Sequence, residues 1–144
     1  MAMTDGMKKP VPHATETSRP FWEGLRAGEV RIQRCTDCAR WVFYPRSNCP
    51  GCLGNALEWH AVSGRGELHT FTISRIPTVA MFEDEVPQLL AVVELSEGIR
   101  LTTTLVEVAE EDIKIGMPLE PVFESIDGGE GVLLRYRPAA TSNA

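Results

Sequence analysis

Long apolar runs are missing from this sequence. No stretch approaches the ~18–20 residues needed to cross a bilayer, so a membrane-spanning helix is excluded. The first thirty residues carry Pro10, Pro12, Glu16 and Pro20 and no apolar segment of the kind that opens a secretory signal, so the expected compartment is the cytoplasm. A basic balance is missing too. Fourteen Lys and Arg face 20 Asp and Glu, for a net charge of −6 and a pI near 5.1. A domain that grips phosphate backbones is usually strongly basic on one face, which argues against a general nucleic-acid binder. Nucleotide-cradling motifs are absent: there is no G-x-x-x-x-G-K-[ST], and Gly64-x-Gly66 runs into His69 where a third glycine belongs. There is no G-x-S-x-G elbow either. Histidine is scarce at three, namely His13, His60 and His69. No nucleophile–base–orienter set can be assembled from these residues, so a stand-alone enzyme is disfavoured.

What is present is an ordinary globular composition. The chain has 144 residues, 43% apolar and 24% charged, enough for one domain or two small ones sharing a core. Its charge is unevenly spread. Six arginines lie between Arg19 and Arg46 against Glu23, Glu29 and Asp37, whereas thirteen acids lie between Met81 and Glu130 against Arg100 and Lys114. The basic first third suits a small anionic ligand; a merely solvated surface would read the same way.

All four cysteines fall within eighteen residues, as Cys35-x-x-Cys38 and Cys49-x-x-Cys52 with ten residues between the pairs. Each C-x-x-C is a tight turn that points two thiolates at one centre, and two such turns supply the four sulfurs that tetrahedral zinc takes. Disulfides would need an oxidising compartment. A thioredoxin-like redox pair would open a helix within a βαβ unit. Iron would use the same four ligands, and the spacing alone does not separate it from zinc. The expectation is one structural zinc, because four thiolates leave no open position for water.

Along the chain, residues 1–17 read as a mobile tail and 138–144 as a loose C-terminus. Residues 18–29 read as a helix, with Ser18 as cap, Pro20 in the first turn and Gly28 as stop. Phe21, Trp22 and Leu25 make its apolar face. Residues 30–56 form the ribbon and 57–137 a barrel of five or six short strands, with no βα alternation. In the strand Glu67–Ile76, alternation puts His69 on one face with Phe71 and Ile73, as a hydrogen-bonded core histidine. Asp127-Gly128-Gly129 signals a hairpin. Met81–Pro87 reads as an acidic loop, and its Glu83-Asp84-Glu85 has no matching base and reads as solvated.

These motifs resemble a known family. The string Phe21-Trp22, Gln33-Arg34-Cys35-x-x-Cys38, Tyr44-Pro45-Arg46-x-x-Cys49-Pro50-x-Cys52, Glu58-Trp59, Ser63-Gly64-x-Gly66 and Phe71-Thr72 is similar to the acyl-CoA-associated zinc-ribbon plus OB-fold proteins, long catalogued as a domain of unknown function. Val93-Glu94-Leu95-x-x-Gly98 and Ile115-Gly116-Met117-Pro118 extend the resemblance, which runs from about Arg19 to Arg137. It implies a mostly β chain with an N-terminal helix, a rubredoxin-like zinc ribbon and a C-terminal five-stranded OB-fold barrel. It also implies a non-catalytic accessory subunit that supports a thiolase, a thiolase-like retro-aldolase, a hydroxymethylglutaryl-CoA synthase or an enoyl-CoA hydratase, and that can help shape the acyl-CoA channel. No hydratase domain is fused here, so a hydratase partner would be a separate chain, which tilts the expectation toward a thiolase or aldolase. On this reading Arg34, Arg40 and Arg46 are candidates for CoA phosphates, with Trp22 beside them. Phe21, Trp22, Met81 and Phe82 are candidates for partner contact. The competing class is a single-stranded nucleic-acid-binding OB-fold and zinc-ribbon module, which would need a basic groove in the half that is acidic.

Overall fold

Pro20 and Gly28 set the limits of the first element. In the computed structural model, which describes residues 9–126 and 131–139, helix α1 runs Arg19–Arg26 with Pro20 in its first turn. Gly28 takes a left-handed φ of 77° just past its end, where a residue without a Cβ is favoured. Ser18 does not cap the helix with its side chain. Its Oγ instead accepts from the Thr15 N–H and hydroxyl, at 2.9 Å each. Of the expected tail, residues 1–8 and, at the other terminus, 140–144 lie outside the described residues. Lys9 is laid against the barrel, its Nζ 2.6 Å from Glu85.

Three strands follow as one antiparallel sheet in the order β2-β1-β3: β1 (Val30–Cys35), β2 (Trp41–Val42) and β3 (Leu57–Val62). The expected division at residue 57 thus falls just before β3, whose hydrogen-bonded neighbour is β1 of the ribbon. The second sheet has five antiparallel strands: β4 (Gly66–Ser74), β5 (Gln88–Leu95), β6 (Arg100–Thr104), β7 (Pro118–Ile126) and β8 (Gly131–Pro138), ordered β6-β5-β4-β7-β8. The expected hairpin turn at 127–129 lies outside the described residues, but β7 and β8 pair in register up to Ile126 and Gly131. The barrel is an open one. No ladder joins β6 to β8; a single parallel bridge between Leu105 and Tyr136 spans the seam, with the Thr103 hydroxyl donating to the Leu134 carbonyl at 2.9 Å.

The alternation expected in β4 fails at one residue. Leu68 pairs with Val93 and Thr70 with Val92, so His69 is the extra residue of a bulge. Leu68 is therefore buried and Phe71 and Ile73 still pack on the core, while His69 is exposed, 3.7 Å from Glu94. Met81–Pro87 is also more ordered than a loop, with a 3₁₀ turn over Ala80–Glu85.

Ribbon and barrel share a core. Val30 and Ile32 of β1 cluster with Ile99 of the barrel, flanked by Trp41, Phe43, Phe123 and Leu134. The chain crosses between the units at Gly64, whose φ of 74° favours glycine and where a Cβ would stand 2.8 Å from Val30 Cγ2. Tyr136, fully buried, donates its phenol O–H to the Gly64 carbonyl at 2.6 Å.

Candidate metal centre and apolar cleft

Two turns bring the sulfurs together. Cys35 ends β1 and Cys38 follows it in a tight turn; Cys49 and Cys52 bracket Pro50-Gly51 in a second. Ala39 and Leu53, each just after the second cysteine of its pair, adopt positive φ of 62° and 65° to close these turns. All four Sγ atoms lie within 4.8 Å of one another. The Cys35–Cys52 and Cys38–Cys49 sulfurs are 3.6 and 3.5 Å apart. Zinc–sulfur bonds of about 2.3 Å in a tetrahedron place sulfurs about 3.8 Å apart, so the group fits one zinc ion with little adjustment. The backbone N–H of Cys52 hydrogen-bonds the Cys49 sulfur, and this is the main reason its thiol is held down at about 7. Backbone N–H groups near Arg40 and Gly54 favour the Cys38 and Cys52 thiolates in the same way, but neighbouring sulfurs and burial outweigh them and push both thiols up, Cys52 to about 11, so a bound cation is what would hold all four as thiolates. Cys35 and Cys49 are buried and Cys38 and Cys52 exposed, so the centre sits at the edge of the ribbon.

Of the arginines near the metal, Arg34 donates its Nε to the Ala39 carbonyl at 3.2 Å and lays its guanidinium 4.9 Å from the Trp41 ring. Arg40 lies across Gly51, where a Cβ would stand 2.5 Å from its Nε. Arg46 is held by its backbone: the Gln33 amide donates to its carbonyl at 2.9 Å and accepts from its N–H at 2.8 Å. That clamp leaves the Arg46 side chain exposed.

A cleft of about 570 Å³ opens where the helix, the segment after β2 and the barrel meet. Phe21, Trp22 and Leu25 line it from α1, Phe43 and Tyr44 from the ribbon, and Leu90, Leu101 and Leu133 from the barrel. Phe82 closes one side. The structure thus gathers Phe21, Trp22 and Phe82 around one cavity. Met81 is half-buried beside it, and Arg34, Arg40 and Arg46 do not line it. Of its lining residues, Tyr44 is 59% exposed.

Polar residues for which the sequence analysis made no prediction also line the cleft, Gln88, Thr104 and Arg135 among them. Arg135 is 4% exposed. Its guanidinium lies 2.9 Å from Glu85 and 3.0 Å from Glu124 and donates to the Thr104 hydroxyl. The acidic run at 83–85 therefore does have a base, and Lys9 adds a second. Parity gave no signal for it: alternation with Leu134 and Tyr136 would turn Arg135 outward, yet Arg135 and Tyr136 are both buried.

Three further barrel arginines are paired with acids. Arg75 pairs with Glu110, Arg100 with Glu94, and Arg137 with Glu107 and Glu120. A track of unpaired charge for nucleic-acid phosphates is not what this arrangement offers. No described helix is long and apolar enough to cross a membrane.

Two family models cover most of the chain: the rubredoxin-like zinc ribbon domain of ChsH2 matches residues 22–58, and the C-terminal OB-fold domain of ChsH2 matches residues 59–124. A DUF35 domain-containing scaffold protein of Methanothermobacter thermautotrophicus is 33% identical over 130 residues, 86% of this chain and 97% of that one. A probable enoyl-CoA hydratase alpha subunit of Thermomonospora curvata is 35% identical over 135 residues, 91% of this chain but 40% of the longer relative. Among solved structures, the Ltp2-ChsH2(DUF35) aldolase superimposes with a TM-score of 0.79 at 30% identity, covering 90% of this chain and 99% of that one.

Proposed function

The chain belongs to the family of ChsH2-type zinc-ribbon and OB-fold proteins, with the DUF35 scaffold proteins, and on that premise we propose that it is a non-catalytic accessory subunit of an acyl-CoA enzyme. Its partner is a thiolase or a thiolase-like retro-aldolase, with an enoyl-CoA hydratase as the other member of that class. The observation that carries this reading is the cleft. It is large enough for a small-molecule tail, lined mainly by apolar side chains and bordered by exposed Tyr44. Yet among the described residues no hydroxyl or thiol hydrogen-bonds a histidine, and the Ser18 hydroxyl at the cleft is engaged by Thr15. A site that can hold a chain but cannot attack one suits a subunit that positions substrate for a partner's chemistry.

In this assignment the acyl portion of a CoA ester lies in the cleft, and the partner seats on the rim formed by Trp22, Phe82 and Met81, with Phe21 supporting Trp22 edge-on at 5.1 Å. Arg34, Arg40 and Arg46 take the CoA phosphates, a task suited to the fork of guanidinium donors. Zinc, held by the four cysteines, is structural: it fixes the two turns and the strands they join. Cysteines committed to a metal and not to disulfides suit a reducing compartment, in this proposal the cytoplasm.

The test is capture of the tagged full chain from its native lysate, with partners identified by mass spectrometry and metal measured on the same sample. Thiolase, aldolase or hydratase chains with one zinc per chain are expected. Nucleic-acid-processing partners, or RNA carried along without such enzymes, would overturn the proposal.

A further inference from the structure

A second cavity, of about 270 Å³, adjoins the cleft. Glu85, Leu89, Val106 and Val108 are among its lining residues, and so are Gln88, Thr104 and Arg135, which also line the cleft. One comes from each of β5, β6 and β8. They are the side chains shared by the two spaces and stand between them.

Their chemistry is not what packing alone selects. Gln88 is 7% exposed and begins an otherwise apolar strand, and its Oε1 has no hydrogen-bond partner among the described residues. An apolar side chain there would spare the fold an unpaired buried oxygen, so the amide calls for another explanation. Arg135 is fixed on three sides by Glu85, Glu124 and Thr104. A guanidinium held in that way does not swing aside, and hydrocarbon pressed against it would bury charge without solvating it.

We propose that Gln88, Thr104 and Arg135 form an end wall that sets the greatest length of apolar chain the cleft accepts. The inference rests on reading the cleft as an acyl-chain site. A hydrocarbon tail fills the space between Trp22, Phe82, Leu90 and Leu133 and stops at the wall. Longer chains leave their extra methylenes at the open mouth, and the cavity behind the wall is out of reach.

The test uses the full zinc-loaded chain with bound 1-anilinonaphthalene-8-sulfonate, displaced by straight-chain fatty acids of increasing length. For the wild type, each added methylene tightens binding about fourfold until the chain meets the wall, after which the gain stops. Gln88→Ala moves that break to longer chains, so the first acid beyond the wild-type break binds about fourfold tighter than to wild type. Adding Val106→Phe to Gln88→Ala refills the second cavity and returns the break to its wild-type place, which a general loosening would not do. Thr104→Ala serves as the second opening variant if Gln88→Ala loses its zinc or its near-ultraviolet dichroism. If no fatty acid displaces the probe from wild type, the acyl-chain reading of the cleft falls and the wall with it. If wild type shows the break but the opening variant leaves it unmoved, the wall alone falls.

Discussion

Gly64 and Tyr136 are 72 residues apart in sequence and joined by one buried hydrogen bond. The glycine was legible as a turn, because Gly64-x-Gly66 follows a strand pattern. The tyrosine's partner was not, because nothing local marks a contact across the molecule. Tyr136→Phe leaves the Gly64 carbonyl buried without its donor, at a cost of about 1–3 kcal/mol. The expected outcome is a lower urea-unfolding midpoint at neutral pH with unchanged zinc content. Burial pushes the phenol above its ordinary value, and the charge of Glu97 adds to this. The fold thus favours the neutral form. That contribution is whole below pH about 10, where the unfolded phenol titrates, and is lost progressively above it. Unfolding curves for wild type and Tyr136→Phe should therefore converge as pH rises past about 10. His69 teaches the complementary lesson: strict alternation put it in the core, and one bulge residue moved it to the surface while keeping Phe71 and Ile73 inside.

The ribbon was the most legible element, because each C-x-x-C turn is local and its chemistry is written in four consecutive positions. Helix α1 was legible from Pro20 and Gly28, although its expected cap was not used. The open seam between β6 and β8 was not legible, since closure depends on strand tilt and stagger that hydrophobic alternation does not encode. The ribbon's dependence on metal can be checked directly. Its strands β1 and β2 bury little beyond Cys35, Val42 and Cys49 around the metal end, so the sulfurs must be neutralised and held by an ion for the turns to persist. Strong chelation, or Cys49→Ser, is expected to take zinc from one per chain to none and to erase amide-exchange protection in β1 and β2. Because Val30 and Ile32 pack against Ile99, protection in the adjoining barrel strands should weaken as well. A ribbon that kept full protection without metal would contradict the structural role.

At the scale of the whole molecule, the charge asymmetry seen in the sequence turns into a division of labour. Arg75, Arg100, Arg135 and Arg137 of the barrel are paired with neighbouring carboxylates, whereas Arg34, Arg40 and Arg46 are exposed on the ribbon. On the proposed function, these ribbon arginines are the ones that hold the CoA phosphates. Arg46 is the sharpest probe of this, because Gln33 holds its backbone and not its side chain. Arg46→Ala leaves both clamp bonds in place, so zinc content and the unfolding midpoint should not change. The affinity for a CoA ester, measured by calorimetric titration, should fall about tenfold, the worth of one charge-assisted hydrogen bond. Added salt should weaken wild type more than the variant, because screening acts on the charge that the variant lacks. Equal affinities would take Arg46 out of the site and shift the phosphate contacts to Arg34 and Arg40. Arg34 is already tied to Ala39 and stacked on Trp41, so it would have to give up contacts of its own to bind.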